Sequence, residues 1–399
     1  MKKYLLFFFS MISLFFSFAQ QKKTMKRLPD TGQNTSYTGT FGEDNDYNFN
    51  IPSFTKNSNG TTTDQVTGLM WQTIDGGEMT IENAAQYCDT LTLGGYSDWR
   101  LPNSNELFSI LNHDKTNPAI DTTYFTKTTA DYWWSAQRQK NDSSKVWVTN
   151  AGGGVGNKPT SETISAGGSK RFHVRAVRDV STPINLPSHF LNRQDGTIKD
   201  SITGLMWTST LSSDTITWEQ ALSLAENSNF ANHSDWRLPN IKELQSINDE
   251  MFMSPSLDTN YFKFTGNKQI WSSTTLFNKT TQAWYLDTRF GITTYAEKTP
   301  RRLYALLVRT DSVDNNNIDP TVYNQLTISP NPANHSIAIN LPNNQSDANL
   351  LVRLFNNDGR LVLESTSKII DVTSLAAGVY FIRITFGSET STKKVIIQH

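Results

Sequence analysis

Two stretches near the middle of the chain carry apolar residues at the spacing of a short amphipathic helix. Thr80 and Thr217 stand at their N-termini, and Gln220 follows Thr217 by three residues. Threonine with glutamine three positions later is a capping-box pattern, in which the two side chains satisfy backbone N–H groups of the first turn. The pattern predicts helices over 81–90 and 218–227.

A second short helix is predicted soon after each of these. Asn103 and Asn240 each follow a proline and precede a glutamate by three residues, Glu106 and Glu243, which marks a helix start. Beyond this helix the pattern changes to short runs of tryptophan and β-branched residues. The order of strand, helix, helix and then several strands predicts an α+β fold.

The end of the chain, residues 326–399, differs from the middle in composition and in its pattern of apolar residues. Tryptophan is absent, and short alternating apolar runs are separated by turn signals such as Asn331-Pro332 and Ala377-Gly378. This spacing is typical of a small all-β sandwich. Residues 311–325, which are rich in aspartate and asparagine and lack apolar periodicity, are predicted to form a linker.

The start of the chain has the pattern of a secretory signal peptide. Lys2 and Lys3 precede an apolar run over 5–18, which ends in small residues and then polar ones. We predict a signal over residues 1–19, with cleavage between Ala19 and Gln20. A membrane anchor needs about 20 apolar residues. We therefore expect no membrane span once the signal is removed.

The middle of the chain consists of one unit that occurs twice. The segment Val66–Trp71 returns as Ile202–Trp207, and Asp98–Asn103 (DWRLPN) returns unchanged as Asp235–Asn240. Self-similarity at a fixed offset indicates homologous domains. With the change of texture at each end, the repeat predicts these units: signal 1–19, first repeat 58–180, linker 181–193, second repeat 194–310, linker 311–325 and C-terminal domain 326–399.

Charge and cysteine content exclude several classes of protein. The chain of 399 residues has 36 Lys+Arg, 37 Asp+Glu and one cysteine, Cys88. We expect no nucleic-acid partner, because a near-neutral chain lacks the positive potential that holds nucleic acid. A single cysteine excludes a disulfide framework and a cysteine-rich metal site. Cys88 is predicted to be a small core residue of the first helix.

Eight tryptophans form matched pairs between the copies. They fit either an aromatic platform for sugar rings or the anchors of a core, since a buried tryptophan removes about 150–250 Å² from water. Their presence in both copies favours the core. Asp98 and Arg100, with their counterparts, are interpreted as ordering the turn before the second helix. The predicted core tryptophans are Trp71, Trp99, Trp134, Trp147, Trp207, Trp236, Trp271 and Trp284.

Signatures of catalysis are scarce. His113, His173 and His233 have no histidine counterpart in the other copy, which argues against a repeated metal or base site. The HExxH, GxSxG and phosphate-loop patterns are missing. We therefore expect no metal, no cofactor and no enzymatic activity. A hydrolytic pair among the matched acids stays open as an alternative. These acids are Asp64/Asp200, Glu82/Glu219, Asp98/Asp235, Glu106/Glu243 and Asp121/Asp258.

The repeated phrases TGLMW and DWRLPN, the EL that follows them, and the later WS and VR resemble the C-terminal domain family of the Legionella collagen-like adhesin. Residues 20–57, with Arg27–Gln33 and Phe41–Asp44, look like the approach segment of such proteins. The resemblance implies a C-type-lectin-like fold and, for the adhesin, binding of sulfated polysaccharide. The chain departs from that adhesin in lacking a collagen-like stalk, and its near-neutral charge suits a polyanion poorly.

In lectin-like folds the loops between the late strands carry recognition, because a rigid scaffold lets them vary. The two copies diverge most in these loops. The residues predicted to contact a ligand are Arg138, Asn150, Lys158, Arg289, Tyr295 and Lys298.

The C-terminal domain carries three signatures, ISPNP at 328–332, LFNNDG at 354–359 and LAAGVYFIRI at 375–384. They resemble the C-terminal sorting domain of the type IX secretion system, which is an immunoglobulin-like sandwich. The resemblance implies recognition by the type IX export machinery and delivery to the outside of the cell or to its outer surface.

Together these observations predict a secreted or cell-surface binding protein. Its two lectin-like domains would recognise an extracellular carbohydrate or protein. Two alternatives remain: a polysaccharide-modifying enzyme on the same scaffold, and a structural component of the cell surface.

Overall fold

The computed structural model of the chain is built mainly from β-strands, with a few short helices. It contains an N-terminal segment, two repeats and a C-terminal β domain. The predicted cleavage site at Ala19 and Gln20 and most of the predicted linker 311–325 lie outside the described residues. The structure describes residues 21–126, 129–162, 172–250, 252–311, 327–340, 350–356, 360–386 and 389–399.

The first repeat has two β-sheets joined by two helices, α1 (Ile81–Thr90) and α2 (Ser104–Ser109). The strands of the N-terminal segment and this repeat are β1 (Gln21–Lys23), β2 (Phe54–Lys56), β3 (Thr61–Asp64), β4 (Leu69–Gln72), β5 (Tyr132–Gln139), β6 (Asp142–Asn150), β7 (Val155–Pro159), β8 (Phe172–His173) and β9 (Val177–Asp179). One sheet has the order β2-β3-β4-β9 and the other β7-β6-β5-β8. A short 3-10 helix lies at Asp44–Asp46 in the N-terminal segment.

Apart from a strand equivalent to β8, the described residues of the second repeat show the same order of elements, with helices α3 (Trp218–Glu226) and α4 (Ile241–Ser246) and a 3-10 turn at Phe230–Asn232. Its strands and the one before it are β10 (Ile184–Leu186), β11 (Phe190–Asn192), β12 (Thr197–Asp200), β13 (Leu205–Thr208), β14 (Gln269–Thr275), β15 (Gln282–Asp287), β16 (Ile292–Glu297) and β17 (Val308–Thr310). The sheets are β11-β12-β13-β17 and β14-β15-β16. Within the predicted linker 181–193, β10 pairs with β1.

The helices begin where capping chemistry predicts. Thr80 accepts a hydrogen bond from the N–H of Asn83 before α1, and Thr217 and Gln220 form a capping box before α3. Asn103 and Asn240 complete capping boxes before α2 and α4. The predicted helices are therefore confirmed within one residue, because caps depend only on side chains a turn apart.

The DWRLPN motif ties each repeat together. Arg100 makes two 2.8 Å hydrogen bonds with the Glu106 carboxylate, so it orders the turn before α2 as predicted. Asp98 instead pairs at 2.7 Å with Arg178 on β9, the closing strand. In the second repeat, Asp235 pairs with Arg309 at the same distance. Through its arginine the motif therefore holds the start of the second helix, and through its aspartate it holds the closing strand.

All eight predicted core tryptophans are buried, with exposures between 0% and 3%. In the first repeat they lie in two apolar clusters, one around Trp71 and Trp147 and another around Trp99 and Trp134. Several donate their indole N–H to a backbone carbonyl, as Trp134 does to Met79 at 2.9 Å. Cys88 is fully buried in helix α1, and burial raises the pKa of its thiol to about 12.

The described residues of the C-terminal domain form β-strands and turns only. Its strands are β18 (Thr327–Ser329), β19 (Ser336–Asn340), β20 (Leu350–Asn356), β21 (Leu361–Ser365), β22 (Ile369–Asp371), β23 (Gly378–Phe386) and β24 (Glu389–Ile397). They form two sheets, β18-β19-β22 and β21-β20-β23-β24, whose apolar side chains share one core. Among the described residues, no helix is long and apolar enough to cross a membrane.

The C-terminal domain docks on the N-terminal segment. The ring of Phe381 on β23 stacks on that of Phe41 with centroids 3.7 Å apart. Arg383 pairs with Asp46 at 3.1 Å, and Lys394 donates to the carbonyl of Glu226 at 2.7 Å. The domain therefore contacts both the N-terminal segment and the second repeat.

We expect Phe381→Ala to loosen this contact, because it removes a buried ring whose loss costs about 3–5 kcal/mol in a core. In calorimetry the C-terminal domain should then unfold at least ~4 °C before the rest of the chain. Ile369→Ala, at a side chain of the same domain that is 65% exposed, is the control and should change little. A single unshifted transition in both variants would contradict the contact.

Candidate functional site

The two repeats meet along a seam. Helices α2 and α4 contact each other across it, and so do strands β7 and β16. The N–H of Val155 on β7 donates to the hydroxyl of Thr293 on β16 at 2.7 Å. A Cβ at Gly154 would lie 2.9 Å from Asn150 Nδ2 and 3.1 Å from the Thr293 carbonyl oxygen, so a glycine here eases the close approach of the backbones.

Trp284 of the second repeat completes the core of the first. It belongs to the same apolar cluster as Phe108 and Trp147 of the first repeat. Its ring lies edge-on to that of His113, with centroids 5.5 Å apart. Burial lowers the pKa of His113 to about 3, and its Nε2 donates to the Gly153 carbonyl at 2.9 Å. His113 is thus a neutral packing residue, and the repeats share one core.

The N-terminal segment crosses the first repeat and packs on the second. The side-chain amide of Gln33 bonds both backbone groups of Thr275: it donates to the carbonyl at 2.6 Å and accepts from the N–H at 3.2 Å. This pair imitates a neighbouring strand at the end of β14. The segment therefore covers an edge that β14 would otherwise leave unpaired.

Carboxylates of the segment are buried at this contact. Asp44 accepts hydrogen bonds from the hydroxyls of Thr31 at 2.8 Å and Thr274 at 2.6 Å. Glu43 bonds the Thr275 hydroxyl and accepts the N–H of Tyr37 at 2.6 Å. Burial raises the pKa of both carboxyls. These acids serve as hydrogen-bond acceptors that fix the segment in place.

A buried lysine lies where the segment and both repeats meet. Lys242 on α4 is 1% exposed, and its ammonium donates to the carbonyls of Asp30 at 2.7 Å and Ser109 at 2.8 Å. Burial lowers its pKa to about 8, although Asp30 opposes that shift. Lys242 thus joins the N-terminal segment, helix α2 and helix α4 through one side chain.

Arg237 anchors the aromatic part of the segment. It bonds both oxygens of Glu243, the closer at 2.5 Å. Its guanidinium also lies 5.6 Å from the ring of Tyr47 and 4.9 Å from that of Phe49. The Tyr47 hydroxyl donates in turn to the Glu226 carboxylate at 2.7 Å. Two aromatic rings therefore shield this ion pair from water.

The first repeat has a buried polar cluster that the described part of the second repeat lacks. His173 Nδ1 lies 2.9 Å from Asp75, whose carboxylate also accepts the indole N–H of Trp133. Arg175 is fully buried beside them and donates to the carbonyls of Gln72 and Thr73. Burial lowers the pKa of Arg175 to about 10. Sequence comparison between the copies could not find this cluster, because its residues lack counterparts.

A cleft of about 270 Å³ lies between the N-terminal segment and the first repeat. Ile51 and Phe54 line it together with Asn112, Asp121 and Tyr124, and the rings of Phe54 and Tyr124 lie 5.5 Å apart. Burial alone would raise the pKa of Asp121, but hydrogen bonding to Thr123 and the nearby Lys115 outweigh burial and lower it. The cleft thus combines apolar side chains with an ionised carboxylate and an amide.

The predicted ligand residues occupy several different surroundings. Arg138 is exposed on β5 and donates to the Ser143 carbonyl at 2.9 Å. The side chain of Asn150 accepts from Gly152 and Gly154 and so shapes the turn at the seam. Lys158 lies 4.8 Å from the ring of Tyr132.

The other three lie on the second repeat. Arg289 is exposed beside Phe290, and Tyr295 is 49% exposed with its ring against Trp284. Lys298 donates to the Thr275 hydroxyl at 2.8 Å and lies 3.9 Å from Glu43. Lys298 therefore contacts the N-terminal segment, while Arg289 and Tyr295 face solvent. None of the six residues is among those that line the cleft.

The matched acids differ in what they contact. Of the matched acids, Glu106 and Glu243 are capping residues, Asp98 and Asp235 pair with arginines, and Asp121 alone lines the cleft. Within the described ranges, no group of three or more His, Cys, Asp or Glu is placed to hold a metal ion.

Comparison with known proteins assigns the repeats and the tail. The family described as the Lcl C-terminal domain matches residues 60–178 and again 196–309. The secretion system C-terminal sorting domain matches residues 327–398. No curated protein matches the chain. The sorting domain marks a protein that the type IX export machinery secretes or attaches to the outer surface. With its two matched repeats, the chain belongs to the Lcl C-terminal domain family.

Proposed function

We propose that this protein binds an extracellular carbohydrate, using the cleft between its N-terminal segment and first repeat. The observation that carries the proposal is that Tyr124, Asp121, Asn112 and Ile51 line the cleft together. Sugars offer an apolar ring face and several hydroxyls. Ligand sites pair apolar and aromatic walls with a few polar groups that fix orientation.

The charge of the cleft favours an uncharged sugar. The carboxylate of Asp121 is ionised and accepts hydroxyl hydrogens through charge-assisted bonds. Lys115, 3.5 Å away, balances this charge, and none of the described residues that line the cleft is basic, so the cleft has no net positive charge to hold a sulfate group. We therefore propose a neutral glycan in place of the sulfated polysaccharide implied by resemblance to the adhesin.

We further propose that the protein acts by binding and not by catalysis. Glycoside hydrolysis uses two carboxyl groups on opposite sides of the bond that is cleaved. Among the described residues that line the cleft, Asp121 is the only acid. The scaffold we propose is C-type-lectin-like for each repeat and immunoglobulin-like for the sorting domain. The paired sheets of each repeat and the two-sheet core of the tail support that scaffold.

A glycan array probed with the full chain tests this function. We expect Tyr124→Ala and Asp121→Asn each to weaken binding of the retained glycan about tenfold, the effect of one lost stacking contact or charged hydrogen bond. Tyr295→Ala, at a tyrosine outside the cleft, is the matched control and should bind normally. Loss of binding in Tyr295→Ala alone would move the site to the late strands. An array with no retained glycan would overturn the carbohydrate proposal.

A further inference from the structure

The ends of strands β5 and β14 form equivalent surfaces on the two repeats. The N–H of Ala136 donates to the Pro102 carbonyl at 2.8 Å, and the N–H of Ser273 donates to the Pro239 carbonyl at 2.8 Å. One residue later, Gln137 accepts from the N–H of Ser104, just as Thr274 accepts from the N–H of Ile241. Ala136, Gln137 and Arg138 therefore correspond to Ser273, Thr274 and Thr275.

In the second repeat this face is covered by the chain itself. Ser273, Thr274 and Thr275 are at most 2% exposed, because residues 30–49 lie over them. The side chain of Arg237 beside them is 4% exposed, under the rings of Tyr47 and Phe49.

In the first repeat the same face is open. Ala136 and Arg138 are exposed, and the side chain of Arg100, the counterpart of Arg237, is 33% exposed. In the segment that precedes the second repeat, strand β10 pairs with β1. Glu250 lies beside the face and bonds the hydroxyl of Ser104.

We propose that the open face of the first repeat, formed by Arg100, Ala136, Gln137 and Arg138, docks an acidic, aromatic-bearing segment of a partner protein. The covered face of the second repeat, with residues 30–49 bound to it, is the internal template for this proposal. On the second repeat, the equivalent face holds a segment whose acids Glu43 and Asp44 bond to the end of β14. The rings of that segment lie on an arginine.

The charges on the open face indicate which kind of segment binds there. The open face keeps the arginine at position 100 and adds a second at position 138, where the covered face has Thr275. Within the described residues, Arg138 makes no ion pair and donates only to the Ser143 carbonyl. Arg100 bonds both Glu106 and Asp179, and its side chain is still 33% exposed, so a ring of a bound segment can pack on it. Complementary charge favours acidic partners and disfavours basic ones.

A peptide with the sequence of residues 29–50 is the probe, because it carries the acids and rings of the internal template. Fluorescence anisotropy with the labelled peptide and the full chain should show one binding event that weakens as salt rises. We expect Arg138→Glu to weaken it at least tenfold, and Ala136→Trp to block it by filling the open face. Arg289→Glu reverses an exposed arginine of the second repeat and should leave binding unchanged.

Three results would overturn the proposal. The first is no binding of the peptide to the wild-type chain. The second is binding that Arg138→Glu and Ala136→Trp leave intact, since the peptide would then be exchanging with residues 30–49 on the second repeat. The third is self-association of the wild-type chain in sedimentation that Arg138→Glu abolishes, which would assign the open face to a second copy. Unchanged thermal midpoints of both variants, whose positions are exposed, verify that the repeats remain folded.

Discussion

Arg237→Leu is expected to lower the free energy of unfolding by about 3–5 kcal/mol, the cost of leaving one member of a buried ion pair without its partner. The carboxylate of Glu243 is 7% exposed, and Arg237 bonds both of its oxygens. The variant also loses the cation that packs against Tyr47 and Phe49. The N-terminal segment should therefore loosen together with the helix start.

The first repeat offers the matched control. Arg100→Leu removes the equivalent bonds to Glu106, whose carboxylate is also buried, but this arginine is 33% exposed and, within the described residues, has no covering rings whose contacts would be lost with it. We expect a smaller loss, of about 1–3 kcal/mol. Urea unfolding monitored by tryptophan fluorescence measures both variants. Equal losses would show that the covering segment adds nothing to the stability of the second repeat.

The second large effect is a dependence of stability on pH. Burial raises the pKa of Glu226 from 4.5 to about 8, while its hydrogen bond from Tyr47 and the charge of Lys394 oppose the shift. A raised pKa means that the folded state holds the proton more tightly than the unfolded state. Its stabilising contribution is complete below pH 4.5 and is lost as pH rises through 8.

We expect the free energy of unfolding to fall by about 3–5 kcal/mol from this group between those limits, because each tenfold difference in proton affinity between the folded and unfolded states is worth about 1.4 kcal/mol. Glu226→Gln should flatten the profile and make the chain more stable than wild type at pH 8, because a glutamine oxygen still accepts the Tyr47 hydroxyl without a charge. Thermal unfolding of both proteins across this range measures the difference. A wild-type profile that rises with pH would contradict the assignment.

Local features of the fold follow from the sequence because their causes lie close together in the chain. The helix starts at Thr80, Asn103, Thr217 and Asn240 are each set by a cap and a residue three positions on. The internal repeat also showed which positions of one copy correspond to which positions of the other. The matched tryptophans are all buried, as expected for large apolar side chains in two related cores.

The candidate site is a different case. The cleft residues Ile51 and Tyr124 lie on separate parts of the chain, and neither carries a motif. The role of Asp98 was also hidden, since Arg178 lies 80 positions away in the sequence. The prediction of ligand residues in the late loops treats each repeat as a separate domain. The seam instead uses the turn at Asn150 to pack the repeats together.

By itself, the sequence determined two related α+β repeats, their caps and tryptophan cores, and a tail that directs secretion, because periodicity, capping and family motifs act over short distances or whole domains. Only the tertiary structure decided that residues 30–49 cover one repeat and leave the equivalent face of the other open. Gln33 and Thr275 are 242 positions apart. An acidic segment is expected to face solvent until a lysine, an arginine and paired hydroxyls are brought together to bury it.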